Sequence, residues 1–177
     1  MIEKKLTPSA VLVPLFCCQG QVHILFTKRT ENLNSHKGQV CFPGGVRQPD
    51  DPDLLYAALR EAGEEIGLQA EDVDVLGELD DALTLSTGYL ISPFVAFIPY
   101  PYNFEANEKE VEEIFSVPLS AFLEDKAHFK QDYQASGGIG PVYTYEYERH
   151  VIWGATARIL TRFVELLRES DIEGKKL

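Results

Sequence analysis

Cysteine is scarce in this chain of 177 residues, which contains only Cys17, Cys18 and Cys41. An odd number of cysteines, two of them adjacent, is a poor framework for disulfide bonds. No Cys-x-x-Cys pair or nearby Cys/His cluster is present in the sequence that would complete a tetrahedral zinc site. The sequence therefore predicts free thiols and a reducing compartment, the cytoplasm, and argues against a disulfide-stabilised secreted domain.

Positive charge is also scarce, because 16 Lys and Arg residues stand against 28 Asp and Glu residues, a formal net charge of −12. Binding to nucleic-acid phosphates depends on a basic surface, so no nucleic-acid partner is expected. The apolar run at residues 10–16 is short and contains a proline, so we expect neither a membrane span nor a secretory signal. With 45% hydrophobic residues, this length predicts one globular domain, residues 1–177.

The charges are unevenly distributed along the chain. Residues 50–81 contain twelve acids and a single base, Arg60, whereas residues 21–47 contain four bases and one acid. An acidic segment of this kind is usually a solvated surface. The alternative is a cluster that collects divalent cations beside a basic loop that binds an anionic substrate. Composition leaves both interpretations open.

Apolar runs and turn residues predict the secondary structure. Residues 10–16 and 22–27 are predicted to form strands joined in a hairpin. Apolar residues at helical spacing predict a closing helix over residues 152–168. Strands and helices mixed without regular alternation predict the α+β class, built on a mixed β-sheet. The remaining predicted strands cover residues 73–79, 90–98, 111–117 and 142–147.

A further helix is predicted over residues 54–66, ended by Gly67, and it carries three glutamates close together. At about 100° per residue, Glu61 and Glu65 lie together beside the apolar face, and Glu64 lies farther round. That apolar face consists of Leu55, Ala58, Leu59, Ala62 and Ile66.

Two carboxylates four residues apart on a helix repel each other, so the pair Glu61 and Glu65 calls for a compensating charge. A hard divalent cation, which prefers oxygen ligands, is one source of that charge. The other interpretation is a solvated face on which Arg60 and Glu64 pair at i, i+4. The helix alone leaves both open.

The residues of this helix resemble the box of the Nudix hydrolases, which cleave nucleoside diphosphates linked to another moiety. The first half of the box departs from the usual pattern: counting from Gly45, the first acid is Asp51 instead of glutamate, and the gap to Arg60 is one residue longer. The resemblance implies an α/β/α sandwich with a Nudix-type mixed β-sheet between helices. The second half, Arg-Glu-apolar-x-Glu-Glu-x-Gly-apolar, is matched in full by Arg60, Glu61, Ala62, Glu64, Glu65, Gly67 and Leu68.

The segment before the helix is similar to the signature of the coenzyme A pyrophosphatase branch of that family. Arg29, Gly38 and the run Phe42-Pro43-Gly44-Gly45 fall in register with the signature, whereas Asn34 occupies the place of its second arginine. The shifted acid at Asp51 is itself typical of this branch.

The resemblance implies a reaction and a set of site residues. Glu61 and Glu65, together with Glu64, would bind Mg²⁺ or Mn²⁺ and carry the catalysis. The substrate, coenzyme A or an acyl-coenzyme A, would be cleaved at its diphosphate to 3′,5′-ADP and (acyl-)phosphopantetheine. A homodimer is an open option. The implied substrate-binding residues are Arg29, His36, Lys37, Gly38, Phe42, Gly44 and Gly45.

Two alternative functions stay open. Asparagine lacks the bidentate grip of arginine on phosphate, so Asn34 allows a Nudix pyrophosphatase acting on another nucleotide derivative, such as ADP-ribose, NADH or a dinucleoside polyphosphate. The second alternative is a catalytically silent nucleotide-sensing module. Such a module would have no need to retain the self-repelling carboxylates of Glu61, Glu64 and Glu65.

Residues outside the box are given structural roles. Glu110, Glu112 and Glu113 precede a predicted strand and are expected in an exposed acidic turn, with a general base in such a loop as the alternative by resemblance. The tyrosines of residues 142–147 alternate as in a strand and are expected to pack, with stacking on adenine as the alternative. Trp153 is expected to anchor the closing helix.

Overall fold

The structure is a computed structural model that describes residues 6–31, 37–84, 87–124, 127–132 and 142–174. Asn34 and His36, which the sequence places in the substrate-binding loop, lie outside the described residues.

The larger sheet has eight strands and is mixed. The central path runs β3-β2-β1-β7-β5, with β4 paired to β1, β6 to β7 and β8 to β2. Strands β1 and β7 are parallel and the other pairs are antiparallel. The strands are β1 (Thr7–Cys18), β2 (Gln21–Arg29), β3 (Val40–Cys41), β4 (Gly44–Val46), β5 (Asp74–Glu78), β6 (Ala82–Leu83), β7 (Tyr89–Phe97) and β8 (Val111–Pro118).

The hairpin of β1 and β2 forms as predicted and extends beyond the predicted ends. Its turn places Gln19 at φ 51° and Gly20 at φ 76°. Two consecutive positive φ angles are typical of the tight turns that match the twist of paired strands. The predicted strands at 73–79, 90–98 and 111–117 correspond to β5, β7 and β8 within one or two residues.

A second sheet of three strands, β9 (His128–Asp132), β10 (Val142–Tyr147) and β11 (His150–Trp153), precedes the closing helix α3 (Gly154–Gly174). The predicted start of that helix at residue 152 is wrong. Ile152 and Trp153 pair with Tyr145 and Thr144 of β10 instead. Both residues fit the apolar spacing of the helix, so the local pattern concealed a strand that depends on a partner elsewhere in the chain.

Helix α1 (Leu54–Ile66) has the predicted bounds because both ends are capped locally. The Asp53 side chain accepts a hydrogen bond from the Tyr56 N–H at 2.7 Å, which satisfies one of the free amides of the first turn. Gly67 ends the helix at φ 70°, and its N–H donates to the Gly63 carbonyl.

Helices cover both faces of the larger sheet, and the side chains of β1 alternate between them. Ala10 and Leu12 belong to a core cluster with the alanines of α1. Val13 and Leu15 belong to a second cluster with α3 and the short helix α2 (Leu119–Leu123). The expected sandwich of helix, mixed sheet and helix is therefore observed. None of the helices in the described ranges is long and apolar enough to cross a membrane.

Candidate active site

Helix α1 presents its three glutamates in different environments. The side chain of Glu65 is only 3% exposed, that of Glu61 is 16% exposed, and that of Glu64 is 55% exposed. Glu61 and Glu65 both lie against β4, the strand that contains Gly44 and Gly45. The structure thus brings together the two glutamates that the helical period pairs, and it places Glu64 at the solvent-exposed edge.

Glu65 is held at the end of the helix by backbone and arginine. The Gly44 N–H donates a hydrogen bond to Oε2 at 3.1 Å, and Arg29 Nη1 lies 3.6 Å from Oε1. Burial outweighs both contacts and raises the pKa of Glu65 to about 8, and the negative charges of Glu61 and Glu110 add to the shift. Burial thus disfavours the ionised form of Glu65, and a cation bound beside it would favour that form.

The two glycines of β4 allow the close approach of the carboxylates. A Cβ atom at Gly45 would lie 2.5 Å from the carboxyl carbon of Glu61. A Cβ atom at Gly44, whose φ is 156°, would lie 2.3 Å from the Ala10 carbonyl oxygen. The packing of the site therefore requires glycine at both positions of β4. Burial also raises the pKa of Glu61 above its usual value, against the opposing effect of Arg60.

Asp51 anchors the arginine of the box, a role that the sequence did not indicate. Asp51 is 3% exposed, and it accepts hydrogen bonds from Arg60 Nε at 2.9 Å and Nη2 at 3.0 Å. Arg60 Nη1 then donates to Glu61 at 2.8 Å and to Glu64 at 3.1 Å. Arg60 holds the pKa of Asp51 below its usual value. The predicted Arg60–Glu64 pair exists, as one arm of a larger network that fixes Glu61.

Arg29 is the cation that lies beside the buried carboxyl group of Glu65. The pairing of β2 with β8 shifts register between Lys28 and Arg29, and such a bulge redirects the side chain that follows. Lys28 pairs with Glu112 at 2.8 Å. Arg29 Nε is buried and has no hydrogen-bond acceptor among the described residues. A buried donor of this kind is ready to bind an anion.

The other predicted substrate-binding residues differ in their exposure to solvent and in their contacts. Lys37 is exposed. Gly38, at φ 62°, lies where a Cβ atom would be 2.2 Å from the Glu31 carboxylate, so the turn requires glycine there. Phe42 is 2% exposed and stacks on Phe26 with ring centroids 5.0 Å apart.

A cavity of about 630 Å³ opens beside the carboxylates. Arg29, Gly44 and Gly45 line one end, and Phe42 contributes to the wall. Trp153 lines the cavity as well, which the sequence did not predict because the last two residues of β11 were assigned to the closing helix. The lining also includes residues of β6, β7, β10 and the first turns of α3.

Of the three acidic residues expected in an exposed turn, only Glu110 precedes β8, whereas Glu112 and Glu113 lie within that strand. Glu112 pairs with Lys28, and Glu113 pairs with Arg149 and with His150. Glu110 is half-buried, and its charge contributes to the raised pKa values of both Glu61 and Glu65. Glu110 is therefore the member of this group whose charge acts on the candidate site.

Comparison with known proteins identifies the family. A family model described as the NUDIX domain matches residues 6–135. The chain belongs to the Nudix hydrolase family. The uncharacterized Nudix hydrolase NudL of Photorhabdus laumondii is 41% identical over 157 residues, which span 89% of this chain and 83% of that protein. This Nudix chain is accordingly a hydrolase that acts on phosphorus anhydrides.

Solved structures confirm the predicted Nudix fold. The Ap4A hydrolase of C. elegans, as a binary complex, matches with a TM-score of 0.55 and 17% identity over 67% of this chain and 85% of that one. The NUDIX domain of Shewanella oneidensis NrtR, complexed with ADP ribose, matches with a TM-score of 0.54 and 18% identity over 68% and 78% of the two chains. At these identities the likeness concerns the fold alone.

Nudix hydrolases use divalent metal ions, and the residues present fit such an ion. Glu65 is a buried carboxylate with a raised pKa, and Glu61 lies against the same glycine strand. Within the described ranges, no group of three His, Cys, Asp or Glu side chains is arranged to hold a metal. A pair of carboxylates is nevertheless an ordinary protein contribution for Mg²⁺, which keeps several waters and binds substrate phosphates.

Proposed function

We propose that this Nudix hydrolase cleaves the diphosphate of coenzyme A or an acyl-coenzyme A. Water adds across the P–O–P anhydride, so that one phosphorus gains the new oxygen and the other phosphate leaves with the bridging oxygen. The products are 3′,5′-ADP and (acyl-)phosphopantetheine. The observation that carries the proposal is the position of the signature residues Arg29, Gly44 and Gly45, which line one end of the cavity beside Glu61 and Glu65.

In this proposal Glu61 and Glu65 hold Mg²⁺ or Mn²⁺, and the exposed Glu64 contributes directly or through water, or acts as base. When bound, the metal supplies charge neutralisation at the phosphate oxygens and activates water. Arg29 binds the diphosphate, because its buried Nε has no acceptor in the described part of the chain and the arginine lies beside Glu65. Lys37, which is exposed, would add positive charge toward the anionic substrate, and His36 belongs to the same proposed set of substrate-binding residues.

A second candidate is hydrolysis of another nucleotide derivative. Asn34 replaces the second arginine of the coenzyme A signature and weakens the predicted grip on phosphate. Structural neighbours include an Ap4A hydrolase and a NUDIX domain bound to ADP ribose. The proposed substrates in this case are ADP-ribose, NADH and dinucleoside polyphosphates. The silent nucleotide-sensing module is weaker, since the site retains two buried or half-buried glutamates beside the cavity.

An activity screen with Mg²⁺ and Mn²⁺ separates these candidates. The substrates are coenzyme A, acyl-coenzyme A, ADP-ribose, NADH and a dinucleoside polyphosphate, all on one preparation. We expect kcat/KM for coenzyme A or its ester to be highest, and Glu65→Gln to abolish it while the exposed Glu71→Gln does not. A tenfold or greater preference for ADP-ribose would favour the second candidate. Negligible rates on all substrates would favour the silent module.

A further inference from the structure

The cavity extends beyond the end that Arg29 and the two glycines occupy. Its volume of about 630 Å³ falls within the range of about 300–1,000 Å³ that is typical of small-molecule sites. The residues that line this other part come from β6 and β7, from the second sheet and from the start of α3. We call this part the apolar groove. Its walls are formed by Leu83, Tyr89, Ile91, Val142, Trp153 and Ile159.

One side chain of the apolar groove has a large uncovered surface, and others are half-buried. Trp153 is 48% exposed, although it lies at the end of a strand whose other face is buried through His150 and Ile152. Leu83, Tyr89 and Val142 are half-buried and, with Trp153, lie outside both core clusters of the described chain. Binding of an apolar ligand is favourable at such a place, because it removes this apolar surface from water.

Three polar residues of the cavity lining, Thr84, Thr87 and Arg158, form hydrogen bonds within the protein. The Thr84 hydroxyl bonds to the Thr87 hydroxyl at 2.7 Å and accepts from the Tyr89 N–H at 2.7 Å. Arg158 Nη1 donates to the Leu83 carbonyl at 3.1 Å. No Asp or Glu of the described part of the chain lines the cavity. A hydrocarbon chain has no hydrogen-bonding groups to leave unpaired against these apolar walls, so it is the ligand chemistry that they favour.

We propose that the apolar groove binds the acyl chain at the end of the thioester arm, so that the enzyme prefers coenzyme A esters of apolar acyl chains over free coenzyme A. This inference rests on the proposed coenzyme A activity. It goes beyond it by naming the class of ester and by making Trp153 and Leu83 specificity-determining residues. The diphosphate binds at the Arg29 end, and the arm runs from there toward Trp153.

The test is a chain-length series of saturated acyl-coenzyme A esters, with free coenzyme A as reference. Burial of each methylene is worth about 0.8 kcal/mol, so kcat/KM rises by up to about fourfold per methylene until the groove is filled. Trp153→Ala and Leu83→Ala each flatten this rise. Val151→Ala is the matched control, because Val151 lies on the same face of β11 and is 47% exposed but does not line the cavity.

Trp153 is the single tryptophan of the chain, so its fluorescence reports on the groove without turnover or variants. In the presence of a chelator, titration with a long-chain ester shifts the emission to shorter wavelength, and free coenzyme A at saturation shifts it less. Equal shifts with both ligands would overturn the inference.

Three kinetic outcomes would also overturn the inference. One is a flat chain-length series in the wild-type enzyme. Another is a Trp153→Ala variant that keeps the chain-length rise but loses the same factor on coenzyme A and ADP-ribose, which would place adenine on the indole. The third is an enzyme that hydrolyses ADP-ribose but no coenzyme A ester. This outcome would overturn the proposed function itself, and the activity on ADP-ribose distinguishes it from failure of the groove inference alone.

Discussion

Glu65 lies in a buried environment that disfavours its negative charge. Its pKa is raised to about 8, chiefly by burial, so the folded protein binds its proton more tightly than the unfolded chain does. The stability that this proton brings is complete below the unfolded pKa and is lost as pH rises toward about 8. In the metal-free protein, we expect Glu65→Gln to raise the free energy of unfolding by roughly 1–4 kcal/mol at about pH 9.

Denaturant unfolding of both proteins in chelator, from about pH 5 to about pH 9, measures this difference. The increase in the free energy of unfolding caused by Glu65→Gln should grow with pH and vanish at the acidic end of this range. Glu71→Gln, on an exposed residue, gives the baseline. A gain that is independent of pH would mean that the mutation acts through packing instead of charge.

Asp51 acts on the site through Arg60. Asp51→Asn removes the charge that holds the guanidinium by two hydrogen bonds, and Arg60 in turn fixes Glu61. Replacing a residue that orients a metal ligand typically costs about 10- to 100-fold in affinity or activity. We expect Asp51→Asn to lower kcat and Mn²⁺ affinity by that factor.

The adjacent Asp50 provides the matched control for Asp51, because it is exposed. Asp50→Asn changes the net charge equally and should leave kcat and Mn²⁺ affinity near the wild-type values. The difference between Asp51→Asn and the wild type should persist over most of the pH range and shrink only at low pH, since Arg60 lowers the pKa of Asp51 and the wild-type ion pair is itself lost as that carboxyl is protonated. Equal losses in the two variants would refute the positioning role.

At the scale of elements, strand β4 and helix α1 must approach closely for the site to form. Gly45→Ala places a methyl group 2.5 Å from the Glu61 carboxyl carbon. The far end of a side chain can swing away, so we expect a folded protein whose kcat falls by roughly 10- to 100-fold. Gly77→Ala, in a strand position where a Cβ atom meets nothing within 4 Å, should retain activity. Circular dichroism and metal titration of both variants distinguish misplacement of Glu61 from misfolding.

Elements with local signals were predictable from the sequence, and elements that depend on distant partners were not. Helix α1 was predictable to the residue because its caps, Asp53 and Gly67, belong to its own sequence. Strand β11 was missed because Ile152 and Trp153 fit the period of α3, while their pairing partners lie in β10.

The same distinction applies to the candidate site. The pairing of Glu61 with Glu65 follows from the helical period, so it could be predicted. The role of Asp51 depends on a loop that folds back onto Arg60, and the spacing of the box gave no indication of it. The place of Trp153 in the cavity could not be predicted without β11.

At the scale of the whole molecule, the site joins α1 to the sheet through two carboxylates, so a bound metal should stabilise the entire fold. A ligand at 100 times its Kd adds about 2.7 kcal/mol to the free energy of unfolding. For a chain of this size, that corresponds to a rise in Tm of roughly 5–10 °C. The metal needs deprotonated Glu65, whose pKa is raised to about 8 in the metal-free protein, so at fixed Mn²⁺ the rise should increase with pH.

Thermal unfolding with Mn²⁺, and again after removal of the metal by a chelator, measures this linkage. The rise in Tm should be lost in Glu61→Gln and Glu65→Gln, and chelation should reverse it in the wild-type protein. Glu64→Gln should retain most of it, because a side chain that is 55% exposed contributes least to a buried ion. A full rise in Tm in the Glu65 variant would place the metal elsewhere, since no charge would then remain at the buried position to hold it.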